Sequence, residues 1–293
     1  MKRYINHLWA GSIGFLLTLT ACGNTSDEPN ALPDKDVMSF EVLHPNQKSR
    51  LTDTSFEDDD QVGLFLTTNK TPLELSGNYA NNAKLTYSFK KWKTDKPIYW
   101  NEGKYDAYAY YPYVASPASV DDFPFSVSTN QHEEANYVAS DFLWAGKKGV
   151  QAGNGAVTLQ FQHSMSRLVI QLVKSDDYEG DLPEEAEVYI HSTVPAATVD
   201  LSVGIATRNT YAAAKTIRAK SLGEQKYAAI IVPQRLNNRQ PLVEVVMKGV
   251  SYLYESKFIF KPGVQHNVNL SVSKNPEQVK IEIGGELTNW EEE

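Results

Sequence analysis

A chain of 293 residues with one cysteine cannot form an internal disulfide or a thiolate metal cluster, so packing must supply its stability. Its length is ample for two domains, and its formal net charge of −8 is spread over mixed acids and bases with no basic stripe, which argues against nucleic acid as a partner. Sixteen tyrosines, four methionines and many Val, Ile and Thr residues suit pleated sheet better than helix.

The first expected element is an export leader, residues 1–21. Lys2 and Arg3 start it, an apolar stretch runs from Leu8 to Leu19, and Thr20 and Ala21 precede Cys22. The apolar stretch is shorter than the ~20 residues that a bilayer-spanning helix needs. Leu19-Thr20-Ala21-Cys22 resembles the lipobox of bacterial lipoproteins, in which the cysteine is lipidated and becomes the new N-terminus. Several acyl chains on one residue hold a protein far more firmly than one chain does. That implies an outer-membrane lipoprotein, anchored through the lipid on Cys22. Residues 22–35 follow as a polar tether, where Ser26-Asp27-Glu28 is either a solvated spacer or a cue for the outer leaflet.

Beyond the tether, apolar residues alternate at period two. The sets are Val62, Leu64, Leu66; Leu85, Tyr87, Phe89; Val157, Leu159, Phe161; and Leu168, Ile170, Leu172. Val188 with Ile190, then Val243, Val245, Met247 continue the series, as do Phe258 with Phe260, Val268, Leu270, Val272, and finally Val279, Ile281, Ile283. Short alternating segments broken by turns such as Lys261-Pro262-Gly263 read as antiparallel β-sandwiches. Gly146 to Gly155 is the expected domain boundary, giving an N-terminal sandwich over 36–150 and a C-terminal one over 151–293. Tyr211 to Leu222, with three successive alanines at 212–214, is expected to be a loop or short helix.

Catalytic motifs fail on spacing. His132-Glu133-Glu134 begins like a zinc-protease helix, but Asn136 stands where the second histidine belongs. Asp58-Asp59-Asp60 lacks the spaced acids and glycine of an EF-hand, and reads as a turn before a strand. No Gly-x-Ser-x-Gly elbow or phosphate-binding glycine loop occurs, so neither an enzyme nor a cofactor is expected. Trp92, Tyr99, Trp100, Tyr105, Tyr108, Tyr110, Tyr111 and Tyr113 crowd one region. They fit a sandwich core, or alternatively a stacking surface for glycans on a monomeric surface lipoprotein.

Several stretches together resemble the fimbrillin family, the Mfa-like type V pilins. "FEVLHPNQKSRLTDTSFEDDDQVGLFL" is similar to the family's opening: a first strand, a basic residue, an acidic loop and a Val/Ile-Gly strand. "IYWNEGKYDAYAYYPY", "SDFLWAG" with "VTLQFQHSMSRLVIQL", "FKPGVQHNVNLSV" and "IEIGGELTNW" resemble, in order, its aromatic strands, its domain junction and its closing strands. The resemblance implies two tandem transthyretin-like β-sandwiches and a structural subunit, shaft or tip, of an adhesive fimbria at the cell surface. It also implies maturation by an arginine-specific or trypsin-like protease, after which a strand of another fimbrial subunit fills the groove left by the first strand.

Arg50 before Leu51 matches the cleavage position, and Val37 to Leu43 is the strand to be removed. Met38, Phe40 and Val42 lie on one side of that strand; Phe40 and Val42 are the expected slot-fillers. A replacement strand would pair its backbone with the groove edge and bury alternate side chains. Few residues follow Trp290. Either the segment carrying Val279, Ile281 and Ile283 is itself the donor, or the subunit sits where no donation is needed.

Overall fold

The structure, a computed structural model, describes residues 36–45, 56–184, 186–275, 280–287 and Trp290. The described residues hold twenty strands and one five-residue helix, so the all-β expectation holds. The leader, Cys22, the tether, Arg50, Leu51 and Val279 lie outside them.

One six-stranded sheet organises the fold. Its order is β4 (Lys91–Thr94), β3 (Ala80–Ser88), β2 (Gln61–Thr68), β5 (Tyr105–Tyr111), β7 (Leu143–Val150) and β9 (Gln162–His163). One face carries Val62, Leu64, Leu66, Ala107, Ala109, Leu143 and Ala145 into a core closed by the short sheet of β1 (Phe40–Leu43) and β8 (Val157–Gln160). The opposite face carries Phe65, Tyr108 and Tyr110 into a second core. With both faces covered, β2 and β5 are buried almost continuously, as strands between two layers must be.

The second core is closed by three further sheets. They are β13 (Ile205–Arg208), β12 (Ala196–Asp200) and β6 (Phe123–Ser126); then β15 (Lys220–Gly223), β16 (Lys226–Ile231), β10 (Ser166–Lys174), β19 (Gln265–Val272) and β20 (Lys280–Leu287); then β14 (Lys215–Arg218), β11 (Glu187–Thr193), β17 (Gln234–Met247) and β18 (Val250–Phe260). Leu168, Ile170 and Leu172 of β10 and Val243, Val245 and Met247 of β17 point inward, as their alternation requires. Asp36–Glu293 forms one compact unit. Chain order and core membership cross near the expected boundary: β8 and β9 serve the six-stranded side, whereas β6 pairs with β12.

Two findings differ from the sequence expectations. β1 pairs with β8 and β10 with β19 in parallel, while the other ladders are antiparallel; alternation marks a strand's faces but not its neighbour's direction. Within Tyr211 to Leu222, the expected loop or helix gives way to β14 and most of β15. Ile217 and Ala219 are buried there, and their burial between strands overrides the helix preference of the alanines before them.

Candidate functional site

β1 is attached along one edge and sparsely along the other. Its register on β8 sets Phe40 opposite Val157, Glu41 opposite Thr158, Val42 opposite Leu159 and Leu43 opposite Gln160. The amides of Val157 and Phe161 donate to the carbonyls of Ser39 and Leu43 at 2.8 and 2.9 Å. The Thr158 hydroxyl donates to Glu41 Oε2 at 3.3 Å. On the other edge Val37 forms a single bridge with Tyr99, closed by Met38 N–H to the Ile98 carbonyl (2.7 Å) and Trp100 N–H to the Asp36 carbonyl (2.8 Å). Among the described residues, β1 is the one ladder partner that β8 has.

Met38, Phe40 and Val42 are 3, 8 and 4% exposed, while Val37 is 52% exposed. The buried three sit in the core with Val62, Leu64, Val157, Leu159 and Phe161. Each such side chain contributes about 1.5–3 kcal/mol when fully buried. Removing β1 would therefore uncover an apolar slot and leave the backbone groups of β8 without partners.

Past β1 the chain turns inward at His44, which is 8% exposed and packs edge-on against Phe56 with ring centroids 5.2 Å apart. Burial lowers the His44 pKa to about 4; Asp141 pulls against that shift and His163 adds to it. The Gln160 side-chain amide donates to the His44 carbonyl at 3.3 Å.

Asp58-Asp59-Asp60 forms the turn before β2. Asp60 accepts from the Glu57 amide at 2.7 Å and the Tyr111 hydroxyl at 3.2 Å, Asp58 accepts from the Phe89 amide at 3.1 Å, and burial raises the Asp60 pKa. Asp58 and Asp60 thus tie the turn to Phe89 and Tyr111. His132 is exposed beside a helix, α1 (Glu134–Val138), of only five residues.

Much of the aromatic set serves packing, while Tyr99 is exposed. Tyr105, Tyr108 and Tyr110 are buried, Trp92 meets Phe56 and Tyr87 at 4.9 and 5.1 Å, and Trp100 meets Tyr105 at 6.1 Å. Ile281 and Ile283 lie on β20, opposite Leu270 and Val268 at the edge of the five-stranded sheet, so within one chain they pair with β19 and not with β8. Sequence reasoning missed β8 as the partner of β1, together with Thr158, His44, His163 and Trp290 around it. The Val157, Leu159, Phe161 alternation was the available signal for β8; the contacts of the other four carry none.

The geometry defines an all-β protein whose first strand closes a groove over one of two cores. The chain matches the fimbrillin-like family over residues 49–290 and belongs to that family. Among solved structures it is similar to a candidate cell-adhesion protein from Bacteroides ovatus, at 17% identity and a TM-score of 0.72 over 88% of this chain and 99% of that one. A candidate cell-adhesion protein from Bacteroides uniformis gives 19% identity and a TM-score of 0.68 over 89% and 100%. A fimbrial protein from Bacteroides ovatus gives 18% and 0.51 over 81% of this chain and 49% of that one. These likenesses carry the fold. No curated protein sequence matches significantly.

Proposed function

We propose that the chain is a subunit of a surface fimbria, exported as a lipoprotein through Cys22 and joined to its neighbour by replacement of β1. The observation that carries this reading is the seating of β1: it is the ladder partner of β8, it buries Met38, Phe40 and Val42, and it has one bridge on its outer edge. Family membership and the fimbrial and adhesion relatives support it. An arginine-specific or trypsin-like protease cuts after Arg50, which detaches the lipid and frees the strand.

The sequence from Val279 into β20 offers a replacement of matching pattern. Val279, Ile281 and Ile283 alternate as Met38, Phe40 and Val42 do, and Glu282 stands between isoleucines as Glu41 stands between Phe40 and Val42. Laid parallel to β8, Ile281 faces Val157, Glu282 reaches the Thr158 hydroxyl in place of Glu41, and Ile283 faces Leu159. The reverse direction would leave the Met38 pocket to Gly285. A donated strand of this kind makes a heterologous contact, which propagates as a fibre.

The test is limited digestion of the purified chain with an arginine-specific protease, followed by electrophoresis without boiling. A new N-terminus at Leu51 and a detergent-resistant ladder are expected, both lost in Arg50→Ala. Ile281→Asp with Ile283→Asp should permit the cut and abolish the ladder. A cut chain that stays monomeric at high concentration overturns strand exchange.

A further inference from the structure

Two segments distant in sequence end on one side chain. His163, the last residue of β9, has a side chain only 4% exposed, and its Nδ1–H donates to the Asp141 carboxylate at 2.9 and 3.1 Å. The Trp290 indole stacks on the His163 ring, with centroids 3.7 Å apart and planes within 9°. His44, one residue past β1, meets the same ring edge-on at 6.0 Å and 78°. Trp290 follows β20 closely and is 3% exposed. The end of the first strand and the end of the last strand thus share His163.

We infer that His163 is a clasp coupling the seating of β1 to that of the C-terminal segment. When β1 leaves, His44 leaves with it and one wall of the His163 pocket is lost. The imidazole then gains room and water, and the stacked indole loses its fixed platform. The clasp is poised to open. Among the described residues, His163 Nε2 and Trp290 Nε1 are both buried without a hydrogen-bond partner, so stacking and burial hold the closed state while hydration of two polar atoms favours the open one.

The coupling is reciprocal by linkage: the factor by which release of β1 loosens Trp290 is the factor by which release of Trp290 loosens β1. Its consequence for assembly rests on the strand-exchange reading. An uncut precursor keeps its C-terminal segment docked on itself, and the event that opens the acceptor groove also frees the donor.

Amide hydrogen exchange on the full, uncut chain tests the clasp. His44→Ala should speed exchange of the β20 amides about tenfold, and Trp290→Ala should speed exchange of the β1 amides by a similar factor, with β17 unchanged as the internal reference. In a His163→Ala background, His44→Ala should no longer affect β20. If His44→Ala also speeds β17, His44→Leu, which keeps an apolar contact with Phe56, replaces it. Remote-strand exchange within twofold of the parent in either direction overturns the coupling. The two readings fail separately: a cut chain that never oligomerises refutes strand exchange and leaves these exchange rates untouched.

Discussion

Acidifying the uncut chain from about pH 7 to about pH 4 should loosen the seat of β1 through His44. Burial holds its folded-state pKa near 4, against an ordinary value of 6.5. Above about pH 6.5 the imidazole is neutral whether the chain is folded or unfolded, and this group makes stability independent of pH. Below that, the unfolded chain takes up a proton that the folded chain refuses, so stability falls with pH until the folded pKa is passed. With ~1.36 kcal/mol for each pH unit, the full loss is about 3 kcal/mol, and roughly 1.4 kcal/mol is gone at about pH 5.5. Asp141 and His163 face the same pocket and act on His44 with opposite signs, so the measurement is a difference. Urea unfolding of the parent and of His44→Leu across this range isolates the group, because the leucine has nothing to protonate. The parent curve should fall more steeply by that amount. Parallel curves would refute the claim that His44 is buried in its neutral form.

Gly63→Ala should destabilise the chain by about 1–3 kcal/mol, read as a lower urea midpoint, because a Cβ there would lie 2.2 Å from Cε1 of the buried Tyr110 ring. That ring cannot yield, since its hydroxyl donates to Asn82 Oδ1 at 2.8 Å and it stacks between Phe65 and Phe142. Gln131→Ala should cost roughly 2–4 kcal/mol in the same assay: the fully buried side-chain amide pairs with both the N–H and the carbonyl of Ile230 at 2.7 Å, and alanine orphans both. On the lipoprotein reading, Cys22→Ser should abolish palmitate labelling and move the protein out of the membrane fraction; labelling that survives would refute Cys22 as the lipid site.

Much of this fold was legible because period-two alternation records which face is buried. Met38, Phe40 and Val42 could be placed inward from their spacing alone, and so could the β10, β17 and β19 sets. The doubly buried sheet was half legible: Val62, Leu64 and Leu66 announced one face, while Phe65 filled the opposite face between them with no period of its own. Parallel pairing was not legible, since a strand's composition says nothing of its neighbour's direction. The His163 junction was invisible for a different reason. It joins His44, Asp141, His163 and Trp290 through tertiary packing, and none of these falls in a spaced motif.

On the strand-exchange reading, the covalent link between β1 and β2 decides which strand fills the groove. While residues 44–60 join the two, β1 competes for its slot intramolecularly, at an effective concentration on the order of mM. An external strand with comparable anchors then loses, even at equal intrinsic affinity. A cut after Arg50 would leave every described contact of β1 in place, yet it would turn β1 into a separate peptide that, once it dissociates, is diluted away. Its three buried anchors, Met38, Phe40 and Val42, are matched by Val279, Ile281 and Ile283 of a neighbour. In a growing fibre a neighbour held near by other contacts would inherit the local advantage that the cut strand has lost. On that reading the cleavage acts on entropy, and a variant joining β1 to β2 through an uncleavable Gly-Ser linker should remain monomeric at any protease concentration.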